Sequence, residues 1–319
     1  MSTAFAVRAP AKVNLGLFVG PPRADGRHEL VTVMQPITLA DRLFGRRSGR
    51  PADRVVVRGA SVVGEELAGR AVGALRAALG EPLPAVEIVV EKEIPIAAGL
   101  AGGSADAGAA LRLCLLLWER GERARALAVA AQLGADVPAQ LCPRRYLASG
   151  AGERLQELPQ PDGSCAVVVA AAPFGLSTAA VYREADRLGL PRSAAELEAL
   201  AARLAQALGG GAPLPPGELL ANDLEAAALS LQPELGKLRR LVGQAGCDHV
   251  LLSGSGPTVL GFFAGEGAGG RAREAASWLA ATGRFAAVRV AEFARPEFSA
   301  AQPLAQWPCH NGGQVDEQA

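Results

Sequence analysis

Pro95-Ile96-Ala97-Ala98-Gly99-Leu100-Ala101-Gly102-Gly103-Ser104-Ala105-Asp106-Ala107-Gly108 follows an apolar run, Val86 to Val90, and leads into Ala109 to Trp118. The run reads as a strand and the later stretch as a buried helix. Strand, glycine loop and helix start gather free backbone N–H groups at the positive end of a helix dipole, an arrangement that attracts phosphate. No Gly-Lys-Ser/Thr follows, so this is not a Walker A loop, nor is it the G-x-G-x-x-G dinucleotide pattern. A glycine-rich helix start without a ligand looks the same locally. The rest of the chain has to decide.

Just before the loop stands Lys92, and lysine is scarce here. Of 32 basic residues only Lys12, Lys92 and Lys237 are lysines. Where arginine has taken nearly every cationic position, a lysine that persists suggests a need for a compact ammonium. Lys12 lies in Phe5 to Val19, whose alternation predicts a strand with Val13, Leu15, Leu17 and Val19 on one side and Lys12, Asn14 and Gly16 on the other. That second face either meets a polar ligand or is solvated. Pro21 to Gly26 is a turn, and Arg27 to Met34 resumes as a strand with His28 at its start.

Asp53 to Arg58 reads as a strand, and Glu65 to Leu79 and Ala124 to Leu133 as helices. Gly134-Ala135-Asp136-Val137-Pro138 then sets a carboxylate in a stiff turn, either as a helix cap or as a positioned base. The polar, proline-rich stretch Gln156 to Gly163 divides the chain into residues 1–160 and 161–295. Beyond it the reading is strand Cys165 to Ala171, helices Thr178 to Leu188 and Ala194 to Leu208, and further helices around Asn222 to Glu225 and Pro233 to Ala245. Then come strands Val250 to Ser253 and Thr258 to Ala264, helix Gly270 to Ala281 and strand Ala286 to Phe293. That is the order of a ferredoxin-like split βαβ unit. Residues 296–319 are unpatterned and are expected to form a disordered tail.

Composition excludes several classes. A length of 319 residues, half of them apolar, supports two domains with a sizeable core. Basic and acidic residues balance at 32 each, giving no global attraction to nucleic acid or membrane. There is no 18-residue apolar run and no signal-like start, so a soluble cytoplasmic protein is expected. Five scattered cysteines with no C-x-x-C pair argue against structural zinc or a disulfide framework.

Three stretches stand together: Ala9 to Leu15 around Lys12, Pro95 to Gly108, and Leu252-Ser253-Gly254-Ser255-Gly256-Pro257. In order and spacing they resemble the signature motifs of the GHMP small-molecule kinases. Arg23 to Leu30, Gly134 to Pro138, Ala148 to Leu155 and Asn222 to Glu225 resemble the branch that acts on a cytidine diphosphate-linked methylerythritol in non-mevalonate isoprenoid synthesis. The resemblance spans about Ala4 to Phe293. It implies an α+β, two-domain fold, the first domain like ribosomal protein S5 domain 2 and the second ferredoxin-like, with the site between them. It implies ATP and Mg²⁺ as cofactors, and a monomer or homodimer acting on a small-molecule substrate. ATP phosphates would lie on Pro95, Ala98, Gly99, Leu100, Gly102, Gly103, Ser104 and Ala105. Asp136 would be the base and Lys12 its cationic partner, while Asn14, His28, Thr178 and Tyr182 would hold the cytidine diphosphate end. Sibling kinases for homoserine or mevalonate, and a non-catalytic nucleotide-binding paralogue, are the alternatives.

The chain departs from the family pattern in three places. Ala97, Ala98 and Ala101 interrupt the glycine run, which is tolerable at negative φ, so Gly99, Gly102 and Gly103 are expected against the phosphates. Arg27 replaces a tyrosine before His28; its flat guanidinium can also stack on a base. Glu66 replaces an asparagine before the first long helix.

Overall fold

Strands β1 (Ala4–Pro22) and β2 (His28–Arg47) form a long antiparallel hairpin in the computed structural model, which describes residues 4–59, 66–80 and 82–308. Strand β2 is long enough to take two further partners. Its first half, Leu30 to Met34, pairs with β5 (Tyr146–Gly150), which carries β6 (Arg154–Glu157). Its second half, Arg42 to Arg47, pairs with β4 (Val86–Glu91), and β3 (Arg54–Arg58) runs parallel to β4. The strand expected over Arg27 to Met34 thus continues to Arg47, past a proline at position 36 that blurs the alternation. Nor does β1 have a solvated face: every residue from Ala9 to Gly20 is buried, because helices or other strands cover both sides.

Helices α1 (Leu67–Leu79) and α2 (Gly102–Leu117) pack with this sheet, and α3 (Arg123–Leu133) and α4 (Val137–Leu141) pack on those helices. Helix α2 starts at Gly102, seven residues before the expected start at Ala109, so Gly102, Gly103, Ser104 and Ala105 form its first turn. Low helix propensity at two glycines hid that turn in the sequence. Buried Ala105, Ala107, Gly108 and Ala109 let other backbones approach. At Gly108 a Cβ would lie 2.5 Å from the backbone of Gln140 in α4, so the α2–α4 crossing requires glycine there. Glu66 caps α1 by accepting from Ala68 and Gly69 N–H at 2.9 and 2.8 Å; Glu65, the expected start, lies outside the described residues.

The second sheet holds β7 (Cys165–Ala171), β8 (His249–Leu252), β9 (Val259–Ala264) and β10 (Ala287–Glu292) in the order β10-β7-β9-β8, all antiparallel. Helices α5 (Thr178–Arg187), α6 (Ala194–Leu208), α7 (Glu225–Leu231) and α8 (Glu234–Gln244) fall between β7 and β8, and α9 (Ala268–Ala281) between β9 and β10. This is the ferredoxin-like order expected from the sequence.

Two segments cross back to the first sheet. Helix α6 lays its buried Leu197, Leu200, Leu204 and Leu208 into the core beneath β1 and β2. The segment expected to be disordered from 296 is instead structured as far as the described residues run. Pro296–Ser299 forms a 3₁₀ turn, and β11 (Gln302–Leu304) pairs with Ala4 to Ala6 of β1. Arg112 of α2 anchors it by donating to Ser299 O and Arg8 O at 2.8 and 2.9 Å. Residues 309–319, the rest of the expected tail, lie outside the described set.

Candidate active site

The loop between β4 and α2 meets β1 and the β8–β9 turn at one point. Lys12 N–H donates to Leu100 O at 3.1 Å and Ser253 Oγ donates to Gly99 O at 3.0 Å. Gly99 has φ +73°, and a Cβ there would run into Ser253 O. Its glycine therefore serves the contact between two motifs far apart in sequence. Asn222 secures the third motif: its amide donates to Leu252 O at 3.0 Å and Gly254 O at 2.7 Å. Asp223 beside it holds Arg192 in a two-pronged pair and accepts from Val19 N–H.

Two cavities adjoin at this junction. The first, about 530 Å³, is lined by Val57, Glu66 and Leu67 on one side and by Lys92, Asp106 and the loop from Ile94 to Ser104 on the other. The second, about 360 Å³, is walled by Lys12, Asn14, Thr32, Asp136, Tyr182 and Ser255 among others. Gly99, Ala101, Ser104 and Thr178 line both, so a molecule in one can meet a molecule in the other across them. Thr178 opens α5, and its hydroxyl is 2.9 Å from that of Ser255.

Lys12 is 7% exposed and Asn14 5%, so neither belongs to a solvated face. The Lys12 ammonium donates to Asn14 Oδ1 at 2.7 Å, and Asn14 donates in turn to Thr32 Oγ1 at 2.7 Å, which donates to Gly16 O. This chain fixes the ammonium's direction. It stands 3.9 Å from Asp136 Oδ2, too long for a hydrogen bond and close enough for charge to matter. Asp136 sits at the cap position of α4, yet its carboxylate caps nothing and remains about a third exposed. Of its two readings, the helix cap is excluded by geometry. Burial and then the Asp136 charge push the Tyr182 phenol up to about 12.

His28 does not line either cavity. It stacks on Tyr182 with ring centroids 4.9 Å apart, and its Nε2 is 2.9 Å from Asp186 Oδ1 on α5. Arg27 points away from the site into its own turn, paired with Asp25 at 2.8 Å. Ala105 is fully buried in the core and lines neither cavity, whereas Pro95, Ala98, Gly99, Leu100, Gly102, Gly103 and Ser104 line the first. The condition of negative φ fails at two of the three alanines: Ala97 has φ +53° and Ala101 φ +57°. Left-handed backbone costs alanine roughly 1–2 kcal/mol each, so the loop carries strain beside the cavity.

One cluster was not foreseen. Lys92 reaches Asp41 Oδ2 on β2 and Asp106 Oδ2 on α2, each at 2.5 Å. Its scarcity as a lysine was the one local sign; Asp41, 51 residues away, gave none. Lys237, by contrast, is an exposed partner of Glu234.

A glycine loop feeding a helix, a buried lysine and an uncapped aspartate between an S5-like and a ferredoxin-like half define a class. The chain belongs to the GHMP kinases. Residues 66–144 match the sequence family described as GHMP kinases N terminal domain, and residues 197–277 match GHMP kinases C terminal. Among relatives, the 4-diphosphocytidyl-2-C-methyl-D-erythritol kinase of Thermobifida fusca is 43% identical over 88% of this chain and 93% of its own length. The protein of the same name from Nocardia farcinica is 44% identical over 79% of this chain and 82% of its own length. A crystal structure of 4-(cytidine 5'-diphospho)-2C-methyl-D-erythritol kinase superposes with TM-score 0.72 at 35% identity, covering 90% of this chain and 98% of that one. Homoserine kinase from Cytophaga hutchinsonii, at TM-score 0.69 and 17% identity, shares the fold. The protein is a kinase, a phosphotransferase, and no helix among the described residues is long and apolar enough to cross a membrane.

Proposed function

We propose that this chain transfers the γ-phosphoryl group of ATP to the 2-hydroxyl of 4-diphosphocytidyl-2-C-methyl-D-erythritol, a step of non-mevalonate isoprenoid synthesis. The observation that carries this reading is the pair of adjoining cavities, one built from the glycine loop and the other holding Lys12 and Asp136. The names of relatives over 40% identical along most of the chain supply the substrate.

In this reading the loop from Pro95 to Ser104 and the start of α2 cradle the polyphosphate by backbone N–H groups and helix dipole. The acceptor hydroxyl lies in the second cavity, near the shared residues Gly99, Ala101, Ser104 and Thr178. Phosphoryl transfer asks mainly for positioning and charge stabilisation. A tertiary hydroxyl is a poor nucleophile, and Asp136 accepts its proton as the bond to phosphorus forms. Lys12, aimed by Asn14, offsets negative charge on the transferring group, worth about a few kcal/mol. Tyr182, backed by His28, offers an aromatic face to the cytidine end. Arg27, held by Asp25, leaves base stacking to other residues.

Among the described residues no group of three His, Cys, Asp or Glu side chains converges on one point. The kinase reading implies a magnesium ion carried on the nucleotide phosphates with its water. When bound it neutralises phosphate charge.

Purified protein incubated with ATP and Mg²⁺ and, separately, with the cytidylyl substrate, homoserine or mevalonate gives the test. ADP release with the first alone is expected. Release only with another alcohol overturns the substrate, and release with none overturns the activity.

A further inference from the structure

The Lys92 cluster ties together the two ends of the phosphate loop. Asp41 Oδ2 and Asp106 Oδ2 both lie 2.5 Å from the Lys92 ammonium, and all three side chains are more than nine-tenths buried. The other oxygen of Asp41 accepts from Glu93 N–H at 2.6 Å and Ile94 N–H at 2.8 Å, the residues that begin the loop. Asp106 stands in the first turns of α2, where the loop ends, and its Oδ1 has no hydrogen-bond partner. Lys92 and Asp106 also line the cavity beneath that loop.

One ammonium facing two carboxylates admits two charge states. With a proton on one carboxyl the cluster is neutral, and without it the cluster carries a net charge of −1. The charged groups around Asp106 are Asp41 from β2 and Lys92 from the end of β4. Glu66, ahead of α1, lines the same cavity, with its carboxylate held by the helix it caps. From α4, Gln140 packs against Gly108 and brings no charge.

We infer that Lys92, Asp41 and Asp106 form a positioning clamp for the phosphate loop, and that a proton on Asp106 keeps this clamp neutral, so nucleotide affinity falls when that proton is lost. The inference rests on reading the first cavity as the nucleotide site. Burial, and then the Asp41 charge, push the Asp106 carboxyl up to about 8 against the pull of Lys92. Burial alone would lower Lys92, but Asp106 and Asp41 outweigh it and raise it. The sign follows. A polyphosphate anion favours the protonated carboxyl, so binding takes up a proton, and affinity is lost as pH rises through about 8.

Calorimetric titration of ADP with Mg²⁺ into the full chain, between about pH 6.5 and 9.5, reads this directly. The wild-type Kd is expected to rise about three- to tenfold across that range, as for one added charge a few ångströms beyond contact in a half-shielded site. Asp106→Asn should give a flat profile, and Lys92→Met, which leaves two carboxylates facing each other, an ADP Kd raised at least about tenfold already at neutral pH. Proton uptake on ADP binding near pH 8, measured on the wild type in buffers of different ionisation enthalpy, needs no variant. A wild-type Kd that does not move with pH, absence of proton uptake, or the same pH step in Asp106→Asn overturns the clamp. Absence of ADP binding at every pH overturns instead the nucleotide reading of the cavity.

Discussion

The Asp136 carboxylate stands 3.9 Å from the Lys12 ammonium and caps no backbone group, although it occupies the cap position of α4. A helix start normally uses such a side chain on its own N–H groups. Here a neighbouring cation takes that part, and the carboxylate stays open to the cavity that holds Thr178 and Tyr182. Asp136→Asn keeps the shape and removes the basicity. Turnover is expected to fall at least about a hundredfold with ADP affinity nearly unchanged, checked by steady-state rates beside calorimetry.

Lys12 is directed by Asn14 and Gly99 O beside Asp136 at the wall of the second cavity. Lys12→Arg retains charge but brings a planar fork where a point donor fits. Its kcat should drop at least about tenfold, and a rate within twofold of wild type would show that charge alone suffices.

Gly99→Ala sets a methyl against Ser253 O at a left-handed backbone position. The expected cost is about 1–3 kcal/mol in chemical denaturation, together with a raised KM for ATP as the loop shifts.

Ala101→Gly reverses the usual effect of such a change. Replacing alanine by glycine ahead of a helix loosens the unfolded chain and ordinarily destabilises by about 0.4–1 kcal/mol. At φ +57° the relief of strain is of equal or greater size, so the melting temperature should hold or rise.

Asp106 also imposes a pH dependence on stability. Its folded carboxyl is raised to about 8, so its favourable contribution is complete below the ordinary carboxylate range and is lost as pH climbs through about 8. Between about pH 5 and 8 the melting temperature of Asp106→Asn should gain on that of the wild type and level off above, as scanning calorimetry would record.

Sequence patterns revealed the second half almost element by element, because β7 and β9 are short apolar runs and helices such as α5, α6 and α8 each bury one apolar stripe. The order strand, helices, strand, strand, helix, strand needed no long-range information. The sequence pattern of strand β2 stops at Met34 because Val31 to Ile37 are all buried and Pro36 interrupts the alternation. The site was legible where chemistry sits in a local motif: Lys12, Asp136 and the glycine loop do line adjoining cavities. It was illegible where partners come from distant strands. Asp41 looked like any aspartate in an apolar stretch, since only the pairing of β2 with β4 brings it to Lys92. The alanines of the loop misled in another way: residue type gives no warning that φ is positive.

Strand β11 adds its three residues to the outer side of β1 at Ala4 to Ala6, and so gives the first strand of the chain a neighbour contributed by its far end. Without that neighbour, β1 would present bare N–H and C=O groups to solvent, the kind of margin on which chains zip together into aggregates. Helix α6 likewise serves the sheet of the opposite half. Order along the chain and order in space therefore differ, and neither half can be cut away without stripping the other. Strand β11 acts as a seal on the fold that closes only after both sheets have been made.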